Sequence, residues 1–273
     1  MMEERTEPGS LAESYKQNGY ILKSDILSKD ETEVYLKGFL DYESRLGGKV
    51  TGAYRFKAHL LLPWLYDLVT HPKVVNLVCQ LLGPDVVCWS TDLFPKDPGT
   101  GKSCGWHQDS TYIGMEPPDA LTVWVALTDS NKMNGCVEFS SKSHLKGQFE
   151  HTNTMSDKSM LLYGQEIPVE VDRSTVVLAE LSAGQASVHH VMTVHSSGPN
   201  MSKTRRIGVA LRYCGAYVKQ KAEIGDSVTH VCGKDHGNFT LEPPPAQIFG
   251  ENEVNAHQKA CGPIGPEDLI AVK

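Results

Sequence analysis

His107-Gln108-Asp109 sets an imidazole and a carboxylate two positions apart. On a strand, residues i and i+2 leave the same face, so both groups can reach one ion, with Gln108 pointing away from it. Far downstream, His195 precedes the turn-forming string Ser196-Ser197-Gly198-Pro199-Asn200. Two imidazoles and one carboxylate, with positions left open, make the facial donor set of non-haem Fe(II) oxygenases. Arg206 then follows. A fixed guanidinium there can hold a dicarboxylate co-substrate through a bidentate contact. His189 and His190 compete with His195 as the third ligand; on a continuous strand His190 would face opposite to His195, so both can be ligands only if the chain bends. His144 is a further candidate, better suited to ordering its own loop. Without its surroundings, H-x-D is a weak pattern that also arises as a solvated loop pair.

The elements around these residues decide how far they can converge. Arg206 to Tyr213 reads as a strand with Arg206, Gly208, Ala210 and Arg212 on one face and Ile207, Val209, Leu211 and Tyr213 on the other. The apolar face suits a packed layer, and the small residues beside a cation suit a ligand pocket. Leu121 to Thr128 alternates in the same way. Further strands are expected at Val86 to Phe94, Val137 to Phe139, Glu166 to Val171, Thr175 to Leu181 and Gln185 to Val191. Leu11 to Leu46 reads as helical, with Ser10 as a cap, Gly19 as a stop and acidic residues after Ser28. A second helix is expected from His71 to Leu82, ending at Gly83-Pro84. Ser140 to Tyr163 reads as a long polar insertion, and everything from Lys219 onward as irregular, with Glu242-Pro243-Pro244-Pro245 opposing regular structure. The expected organisation is one domain over 1–273: a helical part at about 11–82, a β core at about 86–215 and a tail at 219–273. The expected class is mainly β with flanking helices, a β-sandwich or jelly roll braced by the N-terminal helices.

Composition narrows the function. The chain has 273 residues, 40% hydrophobic and 22% charged, with a formal net charge of -7. A general nucleic-acid or anionic-membrane surface is therefore not expected. No apolar run approaches the roughly 20 residues that span a bilayer, and the polar N-terminus lacks a signal-peptide core, so a cytoplasmic location is expected. The seven cysteines are scattered without C-x-x-C pairs, which suits reduced thiols better than a disulfide framework.

Several strings together resemble the phytanoyl-CoA dioxygenase (PhyH) family: Gly105-Trp106-His107-Gln108-Asp109, Asn134-Gly135-Cys136 with Ser143-His144 downstream, and Gly184 through His195-Ser-Ser-Gly-Pro-Asn to Arg205-Arg206. Tyr15 to Ile21 is similar to the family's opening. The resemblance covers roughly residues 11 to 215. It implies a double-stranded β-helix, a cupin-like jelly roll. It implies that His107, Asp109 and His195 bind Fe(II), that Arg206 binds the distal carboxylate of 2-oxoglutarate, that Ser197 assists it, and that Trp124 lines the co-substrate pocket. O2 is then the second co-substrate, and succinate and CO2 are released as a C–H bond is hydroxylated. Where the family usually has Pro-Gly-Ser-His, this chain has Ser141-Lys142-Ser143-His144. Related halogenases replace the carboxylate with a small residue, so the retained Asp109 favours oxygen insertion.

For the substrate, Arg55, Lys57, Trp106, Gln108, Tyr112 and Arg212 are pocket candidates. Arg55, Lys57 and Arg212 point to a small anionic or zwitterionic metabolite, with 2-aminoethylphosphonate as one candidate; for Arg212 a structural salt bridge is the other reading. An acyl-CoA or a secondary metabolite is the alternative substrate. More distant alternatives are a zinc-dependent hydrolase, which needs no pocket arginine, and a non-catalytic jelly-roll binding module. Oligomeric state is not legible in the sequence.

Overall fold

A computed structural model describes residues 10–154, 156–161, 164–168, 170–220 and 225–261, apart from the side chains of Tyr112 and Ile113. In chain order the elements are α1 (Leu11–Asn18), β1 (Tyr20–Asp25), α2 (Lys29–Arg45), α3 (Pro63–Val69), α4 (Pro72–Leu82), β2 (Val86–Lys96), β3 (Cys104–His107), α5 (Ser110–Ile113), β4 (Met115–Glu116) and β5 (Ala120–Ala126). After them come β6 (Val137–Ser140), β7 (Thr152–Asn153), β8 (Gln165–Glu166), β9 (Val176–Ala179), β10 (Gln185–His190), β11 (His195–Ser197), β12 (Arg206–Gly215), β13 (Lys219–Gln220), β14 (Ser227–Cys232), β15 (Thr240–Leu241) and α6 (Glu251–Cys261).

Local chemistry sets the helix ends. Ser10 with Glu13, and Ser28 with Glu31, form reciprocal capping boxes that satisfy the first free amides of α1 and α2. Gly19 ends α1 at φ 85°, a left-handed value glycine takes without strain. Beyond it the chain turns extended. Tyr20–Asp25, within the stretch read as helical, is a strand paired with β10. Pairing across more than a hundred and fifty residues overrides the local helical signal here.

Two antiparallel layers dominate. The larger sheet runs β1-β10-β5-β12-β2-β14-β15 and the smaller β3-β11-β6-β9; among the described strands of these two sheets, only β14 and β15 pair in parallel. The alternation read from β12 holds: Ile207, Val209, Leu211 and Tyr213 join Val123, Val125 and Val188 in a core shared with Phe39, Tyr42, Leu65, Leu68, Val74 and Val78 of the helices. The opposite face meets the smaller sheet through Trp124, Ala126 and Ala210 against Val137, Phe139 and Ala179. Each fully buried Val or Leu is worth about 1.5–3 kcal/mol. A one-residue slip of β12 would put Arg206 and Arg212 into the helical layer, so the core fixes which face carries the cations.

Two further expectations change. The region after Lys219 is not irregular throughout: β14 joins the large sheet beside β2, and α6 follows it. Glu166 to Val171 forms a strand only at Gln165–Glu166, paired with β7, and Val169 lies outside the described residues. No helix among the described residues is long and apolar enough to cross a membrane.

Candidate active site

His107 ends β3 and His195 begins β11, and the two are directly paired in the smaller sheet, so their rings meet with centroids 4.1 Å apart. Each ring places Nδ1 against a backbone carbonyl: Gly105 O at 2.8 Å from His107 and Thr193 O at 2.9 Å from His195. As Nδ1–H donors, both leave the Nε2 lone pair free. Asp109 joins them by a route other than the expected pleat. The strand stops at His107, and Asp109 has helical backbone angles, φ -63° and ψ -28°, at the start of α5. Its Oδ1 lies 3.9 Å from Nε2 of both histidines. One ligand atom from each of the three residues falls within a 4.8 Å group, and all three residues are buried.

The protonation states suit a divalent cation. Burial, reinforced by the charge of His195, pushes His107 down to about 3. Burial and His189 push His195 down to about 4. Burial by itself would raise Asp109, but Arg212 and then His189 and His195 hold its carboxyl well below the usual range. Near neutral pH the site therefore offers two neutral imidazoles and a carboxylate. This donor set fits Fe(II) with open positions for co-substrates.

Oδ2 of Asp109 faces the protein. Thr122 Oγ donates to it at 2.7 Å, His189 Nε2 lies at 3.4 Å and Arg212 Nε at 3.6 Å. His190 faces the other way; its Nδ1 accepts from the Met192 amide and its ring lies near Tyr15 and His144. The chain leaves β10 at His190 and enters the other sheet at His195. That bend lets His189 and His195 line the same cavity. His144 is tied to the carbonyl of Lys16 at 2.9 Å, away from the cluster.

Two cavities meet at the triad. One, about 430 Å³, is lined by Trp124, Ser197, Arg206 and His189 together with the three ligands. The other, about 520 Å³, is lined by Phe56, Trp89, Ser90, Asp92, Met160 and Leu161. Phe94, His107, Asp109 and Arg212 belong to both. In the first, Arg206 is 1% exposed and its guanidinium carbon sits 5.0 Å from the Trp124 ring centroid. It donates to Gly135 O, to Ser197 Oγ at 3.1 Å and to Phe94 O at 3.4 Å, while its Nε finds no acceptor. No carboxylate pairs with it among the described residues, and burial lowers its pKa to about 10. A buried cation without a counter-ion, beside a metal-binding cluster, fits an anionic ligand.

Gly208 shows what the small residues on this face do. A Cβ there would lie 1.9 Å from the Trp124 ring. The glycine makes room for the tryptophan, and the tryptophan in turn walls the cavity beside Arg206.

Lys96 was hidden in the sequence, where the strand reads as ending at Phe94. The strand instead continues, and Lys96 pairs across from Arg206. It is 1% exposed and donates to Ser197 Oγ and Gly198 O, both at 2.6 Å, and to Ser197 O at 3.2 Å. Burial, with the charge of Arg206, lowers it to about 7. Continuing the alternation of Ser90, Asp92 and Phe94 by one step would have placed it.

Of the substrate candidates, Arg212 lines both cavities, but its cation faces Asp109 and, at 3.9 Å, Asp92. Arg55, a substrate candidate, lines neither cavity. It grips Asp92 with Nε at 3.3 Å and Nη2 at 3.1 Å, and also donates to the carbonyls of Leu93 and Met160. Lys57 does not line either cavity. It donates to Glu242 and to the carbonyl of Ser227, in a buried cluster with His59 and Thr229. Gln108 points away from the metal site as expected, but reaches no ligand cavity. Its amide donates to the carbonyls of Gly147 and Met192 and accepts from the Phe149 amide. It clamps the polar insertion to the strand carrying His107. Trp106 lies near the Arg173 guanidinium and lines neither cavity. The Tyr112 side chain lies outside the described residues.

The phytanoyl-CoA dioxygenase (PhyH) family model matches residues 15–208. Among curated proteins, a probable alpha-ketoglutarate-dependent hypophosphite dioxygenase of Stutzerimonas stutzeri is 28% identical over 58% of this chain, and the match spans 55% of that protein. An ectoine dioxygenase of Bordetella parapertussis is 25% identical, with 74% of this chain and 73% of that protein covered. Among solved structures, the apo form of the non-haem monooxygenase ThoJ is 35% identical, covering 92% of this chain and 94% of that one, with a TM-score of 0.82. With the family model covering most of its length and two histidines and an aspartate gathered beside a buried arginine, this chain belongs to the phytanoyl-CoA dioxygenase family of Fe(II)/2-oxoglutarate-dependent oxygenases.

Proposed function

We propose that this chain is an Fe(II)- and 2-oxoglutarate-dependent dioxygenase that hydroxylates a C–H bond of a small metabolite. The observation that carries this reading is the His107, Asp109 and His195 cluster sharing one cavity with Arg206, which pairs with no carboxylate among the described residues. The facing sheets are read as the two halves of a double-stranded β-helix, and the chain as one dioxygenase domain. When bound, iron with 2-oxoglutarate and O2 supplies the oxidising chemistry, releasing succinate and CO2.

The protein's part is holding and orienting. His107, His195 and Oδ1 of Asp109 would hold the metal. Arg206 holds the distal carboxylate of 2-oxoglutarate, and Ser197, itself fixed by Lys96 and Gly135, lies at hydrogen-bonding distance from that guanidinium. Trp124 closes the wall behind the co-substrate. The second cavity takes the substrate. Its aromatic and thioether lining favours an apolar face on the ligand, and the Asp92–Arg212 pair presents both signs of charge. The three cations that suggested an anionic substrate all face carboxylates. A zwitterionic metabolite fits the balanced pair better than a simple anion, and 2-aminoethylphosphonate is one of that class to test. Relatives named for hypophosphite and ectoine support testing a small substrate first, and relatives named for phytanoyl-CoA make an acyl-CoA the alternative in the same screen.

The test is anaerobic addition of Fe(II) and then 2-oxoglutarate, followed by a substrate screen for stimulated succinate release. A visible metal-to-ligand charge-transfer band, and oxygen-dependent succinate formation, are expected. Hydrolysis of a substrate with zinc, without oxygen or 2-oxoglutarate, would overturn the reading.

A further inference from the structure

His189 sits beside the metal cluster with no ligand role. It is 2% exposed, and its ring centroid lies 4.3 Å from that of His195 and 5.2 Å from that of Phe139. Neither ring nitrogen has a hydrogen-bond partner among the described residues, apart from the 3.4 Å approach of Nε2 to Oδ2 of Asp109. A leucine would fill such a site without desolvating two nitrogens. The imidazole therefore points to a polar task inside this cavity.

The register of the sheet shows that task. His189 is paired with Thr122 across β10 and β5, so both side chains reach the same carboxylate oxygen. Arg212 approaches that oxygen from β12. With Oδ2 engaged from three strands, only Oδ1 faces the Nε2 atoms of His107 and His195. A carboxylate freed of one of these contacts can rotate, turning Oδ1 away from the point that the two Nε2 atoms face and weakening its hold on a cation there.

We propose that His189 is a positioning residue that holds Asp109 in the pose presenting Oδ1 to the metal site, with Nε2–H donating to Oδ2. This inference rests on the metal-site reading above. Its test is anaerobic Fe(II) binding by calorimetry on wild type, His189→Leu and His189→Gln, with the 2-oxoglutarate charge-transfer band recorded for each and urea unfolding as the control. His189→Leu is expected to fold, to bind Fe(II) about ten-fold more weakly and to give a weaker or shifted band. His189→Gln, whose amide can still donate, is expected to recover most of the metal affinity. Wild-type affinity and an unchanged band in His189→Leu would overturn the proposal. If His189→Leu fails to fold, His189→Gln decides: recovered affinity supports the role, and a folded variant ten-fold weaker in Fe(II) overturns it. Absence of the band in wild type would count against the 2-oxoglutarate reading, while the Fe(II) affinities would still decide the role of His189.

Discussion

Arg206 and Arg212 leave the same face of one strand, and both line the first cavity, yet they sit in opposite electrostatic surroundings. Arg212 faces the carboxylates of Asp92 and Asp109. Arg206 is 1% exposed, and its neighbours among the described residues are carbonyls, a hydroxyl, an indole ring and the Lys96 amino group. The difference teaches how one strand divides its labour. A cation already matched by carboxylates steadies the site, whereas one buried without a counter-ion is poised for an anion from outside.

The contrast can be broken in stages, from the largest effect on turnover downward. Asp109→Ala removes a metal ligand from the wall the two cavities share. It should reduce coupled succinate release to background and weaken Fe(II) binding, as read by calorimetry. Arg206→Lys keeps the charge but loses the planar fork. The affinity for 2-oxoglutarate should fall roughly a hundred-fold, about 3 kcal/mol, with stability in urea little changed.

Arg212→Met should do the reverse. Leaving Asp109 and Asp92 with less compensation in a buried site should cost about 3–5 kcal/mol in urea unfolding, while 2-oxoglutarate affinity changes only a few-fold. Lys57→Met should have the smallest effect on turnover, with KM for 2-oxoglutarate unchanged. Its signature is in acid instead. Although burial opposes it, His59 and Lys57 hold the Glu242 carboxyl down at about 2. A depressed folded pKa adds stability that is present above the unfolded value and lost as pH falls through the folded one. Without Lys57 the folded value rises, so the acid-unfolding midpoint should move to higher pH.

Much of this was legible in residues 206–213, where a period of two separated the core face from the ligand face. The Fe(II) donor types were legible as well, because chemistry restricts them to few side chains. What stayed hidden depended on distant partners. Lys57 looked like a pocket cation because Glu242, its counter-ion, lies far along the chain in a segment rich in proline. Gln108 had no readable role because its acceptors are carbonyls of the insertion and of the turn after β10. Lys96 was masked by the adjacent proline. The Tyr20–Asp25 strand was masked by helices on both sides, since its partner β10 is distant in sequence. His189 was visible as a competitor of His195, but only the change of sheet after His190 shows why both face one cavity.

The most direct test of the division between the two arginines is an anaerobic titration of Fe(II)-loaded wild type, Arg206→Lys and Arg212→Met with 2-oxoglutarate, followed by the charge-transfer band. Arg206→Lys should need roughly a hundred-fold more co-substrate to reach half of the signal, while Arg212→Met should stay within a few-fold of wild type. Equal losses in both variants, or a loss confined to Arg212→Met, would contradict the assignment of Arg206 as the co-substrate anchor.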